Sequence, residues 1–391
     1  MMTASREGTA SKKFRPVAAA ISMLVLFSCG ISSGENERSV KGEVSEASYQ
    51  STQIESAVLD TVFCEGTEAI CGLEPIQDVV LENQNAWVLA RGVLYRIDSA
   101  GVPLIMANPG GGPGELRAPI AIGDAGEGRT GATIFDLANA RLSTFALSQP
   151  REETSIVAAP YFRNMRIRAG SLYAYTMLPA AALGETVTEH IVQYAVGRGG
   201  WTDTIARFSD QAVSVTGSGG QALPRLPWDQ SLLWDVCRDG SALVGFNSRW
   251  MVMRFGNGDQ RSVDSLYRPD FRAEVMSDDE HGALSAQALE TAPRLPAFRD
   301  AFAKRLSKKP NTRPALQKLF CTDAGSAVLV NSTMFGSYSY VVDVVENEGG
   351  VERRLKVPAN VRLLGAYGNW LAGVQETDDG RSTVVRVRLL R

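Results

Sequence analysis

The stretch NPGGGPGELRAPIAIGDAGEGRTGATIFDLANARLSTF, Asn108 to Phe145, decides the fold. Gly110, Gly111 and Gly112 accept positive φ at no steric cost, and Pro113 holds its own φ at about −65°. Such a cluster makes a sharp, defined loop between strands. Three short apolar runs follow: Ala118–Gly123, Ala132–Asp136 and Arg141–Leu147. The polar turn Asp124–Gly131 separates the first two, and a link of hairpin length, Leu137–Ala140, separates the last two. The stretch therefore predicts a loop followed by the strands of one antiparallel unit.

Gly110–Leu116, followed by Asp136, Asn139, Arg141, Leu142 and Phe145, resembles a paired signature of bacterial NHL-type six-bladed β-propellers. Those proteins carry a GxGPGEF-like loop, then a strand, then a D-x-x-N-x-R-[IL]-x-x-F segment. Leu116 stands here where phenylalanine is usual. The resemblance implies an all-β propeller and makes Gly112, Pro113, Gly114, Asp136, Asn139 and Arg141 structural repeat residues. It implies no activity, because propellers host many. A phosphate-binding reading of the glycine loop is disfavoured. Pro113 lacks an N–H, no Gly-Lys-Ser/Thr follows, and the next element is a strand. For Asp136 and Arg141 two readings stand: an ion pair or turn bond within the unit, and a ligand site.

The N-terminus reads as a targeting segment. Lys12, Lys13 and Arg15 precede an apolar run from Val17 to Phe27. That run is shorter than the ~20 residues a membrane-spanning helix needs. It ends in Leu26-Phe27-Ser28-Cys29-Gly30, which resembles a bacterial lipobox with Cys29 as the lipidated residue. Residues 1–28 are then a lipoprotein signal peptide. The resemblance, with Gly30 rather than Asp following Cys29, implies the outer membrane, on its periplasmic or surface face. Residues 29–55 are polar and small, and read as a flexible tether. The body is 56–391.

The whole chain has 391 residues, is 44% hydrophobic and carries a net charge of −3. This is enough apolar content for a real core, and the balance of charge gives no sign of nucleic acid. Removing residues 1–28 takes away four basic groups and one acid, leaving residues 29–391 at −6.

Short β-rich runs continue along the body. A first unit spans Ile76–Met106, a second 117–158 and a third Phe162–Phe208. An internal repeat follows: LWDVCRDGSALVGF (Leu233–Phe246) aligns with KLFCTDAGSAVLVN (Lys318–Asn331). Units of about 40 residues are what a propeller predicts. Between the two lies a helical insertion at about 277–313, with helix-forming stretches at Ala283–Glu290 and Ala297–Leu306. Lys304, Arg305, Lys308 and Lys309 form a basic cluster there, read as a solvated helix end, with a docking surface for an anionic partner as the alternative. The last unit starts at Val361 and ends at Leu389 with three strands. Ser56–Phe63 is expected to supply the fourth and so close the ring. The count is six blades, with five or seven left open by the poorly delimited third unit.

Four cysteines remain besides Cys29. Cys64 and Cys71 are expected to form a disulfide. Cys237 and Cys321 occupy equivalent repeat positions, and either a bond or two buried thiols fits them, since a bridge needs Cα atoms within ~7 Å. Only His190 and His281 are available as imidazoles, neither lies near a nucleophile motif, and no C-x-x-C occurs. The acids Asp278, Asp279 and Glu280 do not follow the EF-hand pattern and read as a solvated charge run. No catalytic residue, metal site or cofactor is expected. The predicted role is a non-catalytic binding or scaffold module for a protein, peptide or glycan, with a monomeric body tied to a membrane through lipid. The alternative is a metal-dependent lyase or hydrolase with its site at the propeller axis. The six tryptophans are split between packing among the blades and recognition.

Overall fold

Apolar runs of four to seven residues, bounded by Gly, Asp and Asn turns, build this chain as strands with two helices between them. The computed structural model describes residues 44–46, 53–61, 75–82, 85–126, 129–146, 152–155, 162–177, 187–195, 200–210, 226, 228, 231–256, 263–267, 274–290, 296–331, 338–346, 351–377 and 381–389. Cys29, Cys64 and Cys71 lie outside the described residues, as does the signal segment.

The described strands form six antiparallel sheets, named I to VI in chain order. The first strand of each is Ile76–Glu82 (I), Pro119–Asp124 (II), Phe162–Arg168 (III), Leu232–Val236 (IV), Leu316–Cys321 (V) and Val361–Tyr367 (VI). In each sheet these first strands pair with the strand that follows, and the sheet continues outward strand by strand. First strands of neighbouring sheets lie against one another: I on II, II on III, III on IV, IV on V, V on VI, and VI on I. This is an all-β propeller, and its central axis is lined by the first strands.

Sheet VI takes its outermost strand from the other end of the chain. Leu59–Thr61 pairs antiparallel with Ser382–Arg388, setting Leu59 opposite Val387 and Thr61 opposite Val385. Two stretches of the expected tether also pair. Val44–Glu46 adds a parallel fifth strand to sheet IV, and Ile54–Ser56 adds one to sheet V. Both cover an outer edge that would otherwise stand open.

The core lies between the sheets. Sheets V and VI bury Val342, Leu355, Leu371 and Val385 together, and sheets I and II bury Trp87, Leu94, Ile122 and Ile134. Of the tryptophans whose side chains are described, Trp87, Trp234 and Trp250 are buried. Gly123 shows how close two sheets come at the axis. A Cβ there would lie 2.1 Å from the backbone oxygen of Ile167 in sheet III.

Cys237 and Cys321 form a disulfide with a Cα–Cα distance of 5.1 Å, and both are buried. Equivalence in the repeat does not separate them. Each stands at the end of a first strand, where neighbouring sheets converge on the axis.

The insertion forms two helices, Asp278–Glu290 and Pro296–Leu306. The first begins five residues earlier than its composition suggests. Ser277 caps it, its Oγ accepting the Glu280 N–H at 3.1 Å. The acids Asp278, Asp279 and Glu280 are therefore a first helical turn, where the macrodipole favours negative charge. Glu280 is buried and faces Arg313 at 3.5 Å. Phe302, Leu306 and Ala288 pack with Leu226 into a small separate core.

Candidate functional site

The repeat residues have a structural task. The glycine loop connects the outer strand of sheet I to the first strand of sheet II, and the D-x-x-N-x-R segment ties it down. The Asp136 carboxylate accepts the backbone N–H groups of Arg117 at 2.8 Å and Ala118 at 2.9 Å, and the Asn139 side-chain amide at 2.7 Å. Burial opposes its charge, but these donors bring its pKa below the usual carboxylate value. Arg141 donates to the carbonyls of Gly112, at 3.1 Å, and Glu115, and meets Glu153 at 3.3 Å. Asp136 and Arg141 thus each grip the loop. Pro113 and Gly114 lie within the loop they hold. None of these residues lines either cavity at the axis.

The axis carries the chemistry. Toward the end where the first strands finish, a cavity of about 620 Å³ is lined by Glu82, Asp124, Arg238, Asp323, Tyr367 and Trp370, among others. Toward the end where they start, a cavity of about 330 Å³ is lined by residues that include Asp78 (I), Asn164 and Arg166 (III), Trp234 (IV) and Lys318 (V).

Between the two, Arg168 reaches across the axis from sheet III. Its guanidinium donates to Ala366 O at 2.8 Å and Cys321 O at 3.2 Å, and pairs with Asp323 at 2.6 Å. It also stands 5.4 Å above the Tyr367 ring. Burial works against its charge, yet the carboxylates of Asp235 and Asp323 hold its pKa above the ordinary value. Asp323 is the repeat counterpart of Asp239. The two acids serve different ends: Asp239 caps its own turn through Ser241 and pairs with Arg254 at 2.9 Å, whereas Asp323 faces the axis.

The smaller cavity holds two ionisable groups that burial pushes toward neutrality. The Asp78 carboxylate accepts the N–H of Val79 at 2.9 Å. Burial raises its pKa to about 6, against the pull of Arg166, Lys318 and Arg362. Lys318 donates to Leu363 O at 2.5 Å. Burial, then repulsion by Arg362 and Arg166, lowers its pKa to about 8. Among the described residues, neither group makes an ion pair within 4.0 Å. Arg166 lies 3.8 Å from Asp235 and 5.7 Å from the Trp234 ring centre. Asp235 also accepts the Cys321 N–H at 2.8 Å. Arg362 donates to Ile76 O at 2.7 Å. The Trp234 Nε1 is buried without a hydrogen-bond partner.

Sequence reasoning had not singled out Asp78, Arg166, Arg168 or Lys318 as site residues. The signal was there: each is an ionisable residue inside a first strand (IQDVVLE, FRNMRIR, LQKLFC), next to apolar residues in the sequence. Both histidines fall elsewhere. His190 is on the third strand of sheet III, and His281 is on the first helix, its ring 4.9 Å from that of Trp228. Among the described residues no three His, Cys, Asp or Glu side chains converge as a metal-ligating group. No helix among them is long and apolar enough to cross a membrane.

No family model and no curated protein matches the chain. Solved structures do. An exported protein of Bacteroides fragilis is 8% identical, with 89% of this chain and 99% of that one covered at a TM-score of 0.48. Virginiamycin B lyase from Staphylococcus aureus is 9% identical, with 80% of each chain covered at 0.35. A luciferin-regenerating enzyme is 11% identical, with 85% and 95% covered at 0.37. At these identities and scores, nothing of what those proteins do passes to this chain.

Proposed function

We propose that this chain is an exported, lipid-anchored propeller of the cell envelope whose six sheets are the six blades of one ring, and whose axis binds a ligand without converting it. The observation that carries the binding role is the smaller axial cavity. Hydrogen-bonding, charged and aromatic side chains from several sheets converge there in a space of small-molecule size. A peptide, protein or glycan ligand presents a terminal residue or sugar to it. The anchor rests on the lipobox-like run ending at Cys29. The buried Cys237–Cys321 bond fits an oxidising compartment outside the cytoplasm.

One observation favours the enzyme reading instead. Asp78 and Lys318 both have pKa values moved toward neutral pH, where general acids and bases work best.

The test is calorimetry and thermal shift on the detergent-solubilised full chain against peptide and glycan panels, with mass spectrometry of each ligand afterwards. Saturable binding with intact ligand supports the binding module. Conversion of the ligand supports the enzyme. Incorporation of labelled palmitate that disappears in Cys29→Ala tests the anchor.

A further inference from the structure

The smaller axial cavity holds one carboxylate, Asp78, and one ammonium, Lys318, that feel each other and the neighbouring arginines only at a distance, with no ion pair within 4.0 Å among the described residues. Asp78 accepts a single hydrogen bond from the adjacent backbone, and Lys318 donates a single bond to a backbone carbonyl. An ammonium has three donors and a carboxylate about four acceptor sites, so both retain capacity. The other charges nearby are engaged. Arg166 is shared between Asp235 and Asn164, Asp235 also holds the Cys321 amide, and Arg362 is bonded to Ile76 O. A charge without a direct partner in a desolvated site is costly, and a ligand that brings an opposite charge into contact recovers part of that cost.

From this we propose, resting on the axial-binding reading above, that the cavity takes a small zwitterion, a free α-amino acid or a dipeptide. The ligand's ammonium meets Asp78, and its carboxylate meets Lys318 with Arg166 beside it. A ligand with only one charge satisfies only one of the two groups. The volume of about 330 Å³ accommodates either molecule. Trp234 and Phe320 in the wall offer apolar surface to the side chain.

The experiment titrates the detergent-solubilised full chain with the free amino acids and Ala-Ala. Acetate, methylamine, and the N-acetyl and amide forms of any binder serve as comparisons. Saturable binding of a zwitterion is expected, weakened at least about 30-fold by blocking either end and to a similar degree in Asp78→Asn and Lys318→Met. Both variants are expected to be at least as stable as the parent near pH 7, so thermal unfolding separates lost binding from lost folding. Binding of acetate or methylamine as tight as the zwitterion overturns the proposal, and so does failure of every zwitterion tried. If the zwitterions fail while a polymer from the panels binds and loses affinity in Lys318→Met, the zwitterion inference falls and axial binding survives. If Lys318→Met leaves all binding unchanged, both fall.

Discussion

Asp78 shows what a single charge costs on the axis. Its strand neighbours Ile76, Val79 and Val80 are buried and apolar. With a pKa raised from 3.8 to about 6, the folded chain keeps a proton between roughly pH 4 and 6 that the unfolded chain has lost. Stability therefore falls as pH rises through that window, and at pH 7 the ionised group is a net penalty. Asp78→Asn should stabilise the chain at pH 7 by about 1–2 kcal/mol, a shift of this size discounted for partial exposure. The gain should vanish near pH 3, and urea unfolding at the two pH values checks it. Lys318 mirrors this with the opposite sign. Its pKa is depressed from 10.5 to about 8, so the unfolded chain binds the extra proton between those values, and stability rises with pH across them. Lys318→Met should stabilise near pH 7, and the gain should fade above about pH 10.5. Gly123 is a steric counterpart. Gly123→Ala drives a Cβ into the Ile167 backbone and should cost about 3 kcal/mol by denaturant melts. Nothing in the local sequence reveals this, because the obstructing atom belongs to the next sheet.

At the scale of the element, the glycine loop and its D-x-x-N-x-R tie behave as one piece. Asp136→Ala leaves the amides of Arg117 and Ala118 and the side chain of Asn139 without their acceptor. The cost should be about 3 kcal/mol, with faster hydrogen exchange at Arg117 and Ala118 as the local signature. The segment itself was legible in the sequence through its resemblance to the paired signature of NHL-type propellers. Its partners were not: Asp136 and Arg141 face each other across a hairpin register, yet both turn to the loop. The first helix teaches the opposite lesson. Ser277-x-x-Glu280 has the spacing of a capping box and could have placed the helix start at Asp278. Most strands were legible as short apolar runs between turn residues, but Val44–Glu46 and Ile54–Ser56 were not, since their polar composition reads as tether. The axial charges were not, since a strand pattern says which residues alternate but not which sheet edge they meet.

For the whole molecule, the Cys237–Cys321 bond staples sheets IV and V across a sequence separation of 84 residues. In the chain-entropy account, closing a loop of that length is worth about 4.5 kcal/mol. Replacing both cysteines with serine should lower unfolding stability by up to about that amount, and adding reductant to the parent should reproduce the loss. The repeat exposed the equivalence of the two cysteines, but not how near the axis brings them. Sheet VI adds a constraint in time. Its outermost strand, Leu59–Thr61, is made early, and its partner, Ser382–Arg388, follows every other described strand. As the ribosome delivers the chain from its N-terminus, the early strand must wait, edge exposed, for more than three hundred residues before its mate arrives. Synthesis can finish sheets I to V in succession, but the sixth is completed only by Ser382–Arg388. A nascent chain stopped short of Ser382 is therefore an open arc with two sticky ends, one of them presented from the start.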